Sequence, residues 1–338
     1  MKIARRLSQL THLPGGTVVT IGNFDGVHLG HREIFRRVVT GARERQAAAA
    51  VITFEPHPLR LLAPEKAPPR INTPEEKVRL IRASCIDLLV ILPFNRKLAA
   101  LAAADFIDGI LVGRLGVRHL VIGYDYAFGR NREGDAAFLA AAAKRHGFTL
   151  EVLEPLRAGS EVYSSTRIRQ TLLRGDVNGV VGVLGRHFTL DGRVVGGAGR
   201  GRRLGFPTAN LVTAKELLPR EGVYAVRVRH GRRMYDAVVN LGRRPTFAGA
   251  EPTLEIHLLD FTGDLYGARL RLYFVERLRD VQRFPSVEAL QAAVKADIER
   301  ARPLLATTRV LVYKETFDCG MVLPCSHQNN HDFSLRSK

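Results

Sequence analysis

The sequence predicts an α/β plus β chain, with an N-terminal Rossmann-like parallel sheet covered by helices followed by an antiparallel β-barrel and a C-terminal helix. Three observations predict it. Between residues 17 and 153, five apolar runs alternate with longer amphipathic or capped segments, the pattern of a parallel sheet wrapped by helices. Beyond Gly185, short alternating runs succeed one another without helices between them, the pattern of an antiparallel barrel. The chain has 338 residues, 46% of them hydrophobic, which is long for one core and ample for two. The expected units are 1–183, 184–305 and an atypical, disordered tail at 306–338.

The first unit opens on Thr17–Ile21, where Val18, Val19 and Ile21 read as a buried strand that breaks at Gly22-Asn23-Phe24-Asp25-Gly26. Ile34, Phe35 and Val38 then repeat at helical spacing, so His28 and His31 stand at a strand-to-helix turn. Unpaired backbone N–H groups and the positive end of the helix dipole meet there, which favours an anion before any side chain is counted. Two imidazoles three residues apart add donors on one side of the turn, and Gly26 and Gly30 leave the backbone open to close approach. A surface turn carrying two stray histidines is the bland alternative.

The next strands are Ala49–Phe54, Asp87–Leu92, His119–Ile122 and Thr149–Leu153. Between the second and third, Thr73-Pro74-Glu75-Glu76 spells an N-cap, a Pro at the first helical position and a capping box. Ligands of open parallel sheets collect at the carboxyl ends of strands. Those ends carry Phe54-Glu55-Pro56-His57-Pro58, Gly123-Tyr124-Asp125-Tyr126-Ala127-Phe128-Gly129 and Ser164-Ser165-Thr166-Arg167-Ile168-Arg169. Ser164 or Ser165 would cap a helix, leaving neighbouring hydroxyls and Arg167 or Arg169 for phosphate oxygens. The aromatics Phe54, Tyr126 and Phe128 read equally well as core.

In the second unit Gly222–Val228, Met234–Asn240, Thr253–Leu258 and Arg269–Phe274 are the alternating strands, and Ser286–Leu305 is an amphipathic helix with Val287, Leu290, Val294 and Ile298 on one stripe. Its chemical segment is GRVVGGAGRGRRLGFPTANL, Gly192–Leu211. Glycines including Gly199 and Gly201 can form a phosphate-covering loop, and Thr208 and Asn210 offer oxygen ligands to a hard cation. Glu255 lies on the apolar strand TLEIHLLDF, where a partly buried carboxylate suits the role of a base.

The strings GNFDGVHLGH, TFEPHP, GYDYAFGRNREGD and YSSTRIRQTLLRGDV resemble the adenylyltransferase half of the bacterial bifunctional riboflavin kinase/FAD synthetases, members of the HxGH nucleotidyltransferases. LGFPTANL, GVYAVRV, NLGRRPTF, LEIHLLDF and DLYG resemble the kinase half of the same family. The resemblance implies that His28, His31 and the Ser164, Thr166, Arg167 segment hold ATP phosphates, with Asn23 and Asp125 in the same nucleotide site. Phe54, His57 and Phe128 would lie nearer the flavin. In the kinase half it implies that Thr208 and Asn210 bind Mg²⁺ and ATP under the glycine loop and that Glu255 activates the riboflavin 5′-hydroxyl. Substrates would be ATP, riboflavin and FMN, with Mg²⁺ required in both steps. A departure is read at Gly197, where the family commonly carries His in a GxVxHG string. Competing readings are a chain with one active half, and a basic RNA- or regulator-binding protein on an enzyme scaffold.

Composition sets the remaining expectations. Lys and Arg total 51 against 33 Asp and Glu, a net charge of +18. Yet the arginines are dispersed, and no basic stripe interleaved with aromatics or nucleic-acid-binding motif appears, so nucleic acid is not an expected partner. No apolar run reaches about 18 residues and no signal peptide is legible, so a cytoplasmic protein without a membrane partner is expected. Cys85, Cys319 and Cys325 are too scattered for a disulfide framework, and Cys319, Cys325, His327 and His331 have poor spacing for zinc. A homo-oligomer is left open.

Overall fold

The structure is a computed structural model that describes residues 1–10, 13–197, 201, 205–246 and 249–313. The tail residues Cys319, Cys325, His327 and His331, and Gly199 of the glycine loop, lie outside these.

In the first unit, strands β1 (Lys2–Ala4), β2 (Thr17–Ile21), β3 (Ala48–Glu55), β4 (Leu88–Pro93), β5 (Val117–Gly123) and β6 (Thr149–Leu153) form a sheet in the order β1-β4-β3-β2-β5-β6. Every pairing is parallel. The five strands expected from the apolar runs are present. The three-residue β1 is too short to leave a pattern and attaches at the edge, on β4. The helices are α1 (Leu29–Glu44), α2 (Leu59–Leu62), α3 (Pro74–Arg82), α4 (Arg96–Ala99), α5 (Ala103–Phe106) and α6 (Ala136–His146). The α3 capping box forms as its sequence predicts, Thr73 accepting from Glu76 N and Glu76 from Thr73 N. The strand order reverses between β2 and β5, whose neighbours lead away in opposite directions. That is the switch point at which a crevice opens outside the carboxyl ends.

A short hairpin, β7 (Arg157–Ala158) with β8 (Glu161–Val162), leads to α7 (Ser165–Leu173) and α8 (Gly179–Leu184). Six antiparallel strands then close a barrel: β9 (Thr189–Val195), β10 (Ala209–Val212), β11 (Gly222–His230), β12 (Arg233–Thr246), β13 (Gly249–Leu258) and β14 (Arg269–Arg279), in the order β10-β13-β12-β11-β14-β9 with β9 pairing back to β10. The alternating runs located β11–β14. They did not locate β9, whose middle is Asp191-Gly192-Arg193, or β10, which is too short to show a period. Helix α9 (Val287–Thr307), N-capped by Ser286, packs on the outside of the barrel, where Ala301 and Leu305 meet Val223, Ala225, Val238 and Val275.

The two units share a core. Ile71, Ile168, Leu172, Val177 and the α8 residues Val180, Val183 and Leu184 belong to the same buried cluster as the barrel interior. A buried ion pair also joins them, Lys215 Nζ to Glu76 Oε2 at 2.5 Å, with side chains 1% and 2% exposed. Cys85 is disulfide-bonded, which the scatter of three cysteines did not suggest. Among the described residues no helix is long and apolar enough to cross a membrane.

Candidate active sites

Backbone strain marks the first site. After β2, Phe24 (φ 48), Gly26 (φ 88) and Val27 (φ 42) all adopt the left-handed region, which is costly for a β-branched residue and persists only where surroundings hold it. Asp25, 5% exposed, supplies part of that hold: its carboxylate accepts from Ile71 N (3.1 Å), Asn72 N (3.2 Å) and Arg169 Nη2 (2.5 Å). The glycines here serve the chain itself more than a ligand. A Cβ on Gly26 would press on Ile168 and Ile71 at 3.1 Å, and one on Gly30 would stand 3.1 Å from His28 Nδ1.

His28 is the N-cap of α1, with Nδ1 accepting from His31 N at 3.3 Å, so its Nε2 carries the ring proton. The two rings lie on one side of the turn, as the i, i+3 spacing predicts, and stack at 3.6 Å with 20° between planes. Burial, with Arg186 nearby, lowers the His28 pKa to about 3; burial, then His28, Lys77 and Arg186, holds His31 well below the usual imidazole range. Both rings are therefore neutral at pH 7. His31 packs edge-on against Phe24 at 5.2 Å, and its Nδ1 is buried without a hydrogen-bond partner.

The second component is the α7 N-terminus. Ser164 caps it, Oγ accepting from Arg167 N at 3.1 Å, and Ser165 Oγ donates to Asp25 O at 2.8 Å, tying this helix end to the histidine turn. Two helix N-termini thus face one locality, which strengthens the anion preference of each. Thr166 is exposed on the first turn of α7. Of the two arginines, Arg169 is consumed structurally, by Asp25 and by Pro69 O at 2.9 Å. Arg167 pairs with Glu161 but keeps Nη1 buried and unpartnered. Lys77, 8% exposed, is a further cation near the histidines that no motif indicated; burial lowers its pKa.

The predicted flavin-side residues separate. His57 Nε2 lies 3.3 Å from Asn23 Nδ2, joining the expected nucleotide and flavin regions, and Phe54 stands at the end of β3 against Phe94. Asp125 is exposed at the carboxyl end of β5. Phe128 is instead 8% exposed, packed with Tyr126, Phe106 and Phe138, and sits in the core as the alternative reading allowed.

The barrel site follows from strand register. Glu255 alternates with Leu254 and Ile256, both in the barrel interior, and so faces outward, half-buried. Directly across from it stand Asn210 on β10 and Asn240 on β12. Directly opposed residues share a face with Cβ atoms about 5 Å apart, so Glu255 lies between two amides, of which sequence reading singled out Asn210 and missed Asn240. His257, two residues on, bonds Pro207 O at 2.9 Å and packs against Phe206, anchoring the segment that presents Thr208. Gly201 also approaches here: a Cβ on it would lie 2.8 Å from Thr208 Oγ1.

The departure read at Gly197 belongs one residue earlier. Registered on Gly192, the GxVxHG string places its histidine at Gly196 and its second glycine at Gly197. The structure agrees, because a Cβ on Gly197 would fall 1.9 Å from Asn210 Nδ2, whereas Gly196 has open space. A separate cavity of about 740 Å³ opens between Pro69 and Leu173 of the first unit and Leu217, Arg220, Leu241 and Val281 of the second; it contains none of the predicted site residues.

Comparison with known proteins agrees with both halves. Residues 10–167 match the FAD synthetase family and residues 184–305 the riboflavin kinase family. The bifunctional riboflavin kinase/FMN adenylyltransferase of Pseudomonas fluorescens is 42% identical over 307 residues, covering 90% of this chain and 98% of that protein. Its counterpart from Escherichia coli K12 is 39% identical over 311 residues, covering 91% and 99%. A solved Streptococcus pneumoniae chain described as a macrolide-efflux protein superposes with a TM-score of 0.81 at 33% identity, covering 89% of this chain and 98% of its own. The chain therefore belongs to the bifunctional riboflavin kinase/FMN adenylyltransferase family, which phosphorylates riboflavin to FMN and adenylylates FMN to FAD.

Proposed function

We propose that the two reactions run at the two sites described, FMN adenylylation at the histidine turn and riboflavin phosphorylation on the outer face of the barrel beside Glu255. The observation that carries the first assignment is the pair of unpartnered buried atoms, His31 Nδ1 and Arg167 Nη1, beside two converging helix N-termini. Buried polar atoms without partners are costly, and a polyanion supplies acceptors.

In the adenylylation, an oxygen of the FMN phosphate attacks the α-phosphorus of ATP, forming the new P–O–P link as pyrophosphate leaves. The nucleophile is already ionised at neutral pH, so no base is needed. Neutral His28, with its proton on Nε2, is a donor to the charge developing on phosphate oxygens and a poor base. Arg167, the helix ends, Ser164 and Thr166 serve the same polyanion, with Asn23 and Asp125 placed for the remainder of the nucleotide. His57 beside Asn23, with Phe54, supports a flavin approach along the β3 end; burial of Phe128 supports a backing role for it.

In the phosphorylation, the riboflavin 5′-hydroxyl attacks the γ-phosphorus, its proton passes to Glu255, and ADP leaves. Thr208 Oγ1 and Asn210 Oδ1 are hard neutral oxygen donors, the kind Mg²⁺ takes one or two of while phosphate oxygens and water complete its shell, so this donor set fits the ion. When bound, Mg²⁺ neutralises charge between phosphates. The chain's part is to hold Thr208 and Asn210 beside Glu255, with Gly201 close against Thr208.

Variants separate the assignments. With riboflavin, ATP and Mg²⁺, His28→Ala or His31→Ala is expected to stop FAD formation while FMN accumulates, and Glu255→Ala to abolish FMN formation while supplied FMN is still converted to FAD. Chromatography of the flavins reads both. Parallel loss of the two activities in any of these folded variants refutes the two-site assignment.

A further inference from the structure

The histidine turn is held from the far half of the chain. Arg186, which follows the left-handed cap Gly185 at the end of α8, is 5% exposed. Its Nη2 donates to Gly26 O at 2.6 Å, and its Nη1 donates to Val27 O at 2.9 Å and Leu184 O at 3.2 Å. It thus satisfies the carbonyls of two positive-φ residues immediately before His28, a task for a planar fork of donors. Gly185 meanwhile lies against Leu29 and Arg32 in the first turn of α1, where a Cβ would collide with Leu29 at 2.6 Å.

A second element presses on the same group. The ring of Tyr313 lies 5.6 Å from the Arg186 guanidinium carbon and 4.8 Å from that of Arg32. Tyr313 is 9% exposed, and its hydroxyl meets Ser84 Oγ at 2.5 Å. Its segment is fixed by reciprocal bonds, Leu311 N to His187 Nδ1 at 2.9 Å and His187 N to Leu311 O at 3.0 Å. Tyr313 lies beyond the riboflavin kinase match, which ends at residue 305, and Arg186 lies beyond the FAD synthetase match, which ends at 167.

We propose that Arg186 and Tyr313 are positioning residues for FMN adenylylation, a brace supplied by the kinase half and the segment after its last helix that fixes the His28–His31 turn. Neither touches the reacting atoms; both act through the carbonyls and the helix start that aim the imidazoles. The inference rests on the reading of this turn as the ATP site.

Riboflavin phosphorylation on the same chain is the internal control, since neither residue belongs to that site. Arg186→Ala is expected to lower kcat for FAD formation about 10–100-fold, the scale of a small misalignment, with a smaller change in the KM for ATP and an unchanged riboflavin kinase rate. Arg186→Lys, which keeps a donor, recovers part of the loss. Tyr313→Ala costs less, about 3–10-fold, because it leaves the carbonyl bonds in place, and Tyr313→Phe, which keeps the ring, is close to wild type. FAD formation at the wild-type rate in both Arg186→Ala and Tyr313→Ala overturns the brace, as does parallel loss of the two activities. Should Arg186→Ala fail to fold, Arg186→Lys and Tyr313→Ala decide alone. His28→Ala run alongside separates the two readings: if it still makes FAD the site assignment fails, and if only the brace variants do, the brace fails.

Discussion

Neutral histidines in a basic crevice have a thermodynamic signature. Burial depresses the pKa of His28 to about 3 and that of His31 in the same direction, against 6.5 when exposed. Between those limits the unfolded chain binds protons that the folded chain refuses. The stabilisation is complete above about pH 6.5 and is lost as pH falls below it. One such ring contributes on the order of 1–2 kcal/mol of destabilisation at pH 5. The melting temperature of His28→Asn is accordingly expected to fall less between pH 7 and 5 than that of the wild type; equal falls would mean that His28 is protonated in the fold. Much at this scale was legible: the spacing of His28 and His31 put both rings on one side of the turn, and of Ser164 and Ser165, both offered as the α7 cap, Ser164 serves. What sequence could not assign was which of two similar groups keeps an unpartnered nitrogen. Arg167 and Arg169 sit two apart on one helix, and only the tertiary placement of Asp25 reveals that Arg169 is spent on the fold. Asn240 escaped for a similar reason, since its closeness to Glu255 is a matter of cross-strand register.

Helix termini carry the site as elements. The α7 N-terminus depends on Ser164 Oγ for one of its orphan donors, Arg167 N. Ser164→Ala is expected to cost about 1 kcal/mol of stability. Because the same turn presents Thr166 and Arg167, the KM for ATP in FAD formation should rise while riboflavin phosphorylation is untouched. Steady-state kinetics on both reactions checks this, and an equal rise in both KM values would place Ser164 outside the nucleotide site. Elements were readable wherever a period survived: β2–β6, β11–β14 and α9 all show one. The exceptions have physical reasons, β1 and β10 being too short to have a period and β9 being interrupted by Asp191-Gly192-Arg193.

Across the whole molecule, the halves are joined by a shared apolar cluster and by the Glu76–Lys215 pair, which no local pattern announces because its partners lie 139 residues apart. Glu76 also caps α3 and accepts from Asn72 Nδ2 at 3.2 Å; these bonds and Lys215 all fall on Oε2, while Oε1 is buried without a partner, so the carboxylate depends on Lys215. Removing one partner of such a pair strands the other charge, at a cost of about 3–5 kcal/mol. Urea unfolding should therefore show Lys215→Ala destabilised by that order, with the double variant Glu76→Gln, Lys215→Met recovering part of it. A wild-type midpoint for Lys215→Ala would mean that the pair contributes nothing to the union of the halves.

The shared cluster also bears on how the protein is made. Ile71, Ile168 and Leu172 are synthesised before any barrel strand, yet the buried cluster they share with Val177, Val180, Val183 and Leu184 is completed by barrel side chains. Until the ribosome has delivered β9–β14, that cluster lacks its barrel members. The parallel sheet is encoded first, but this core is complete only when the barrel has followed it.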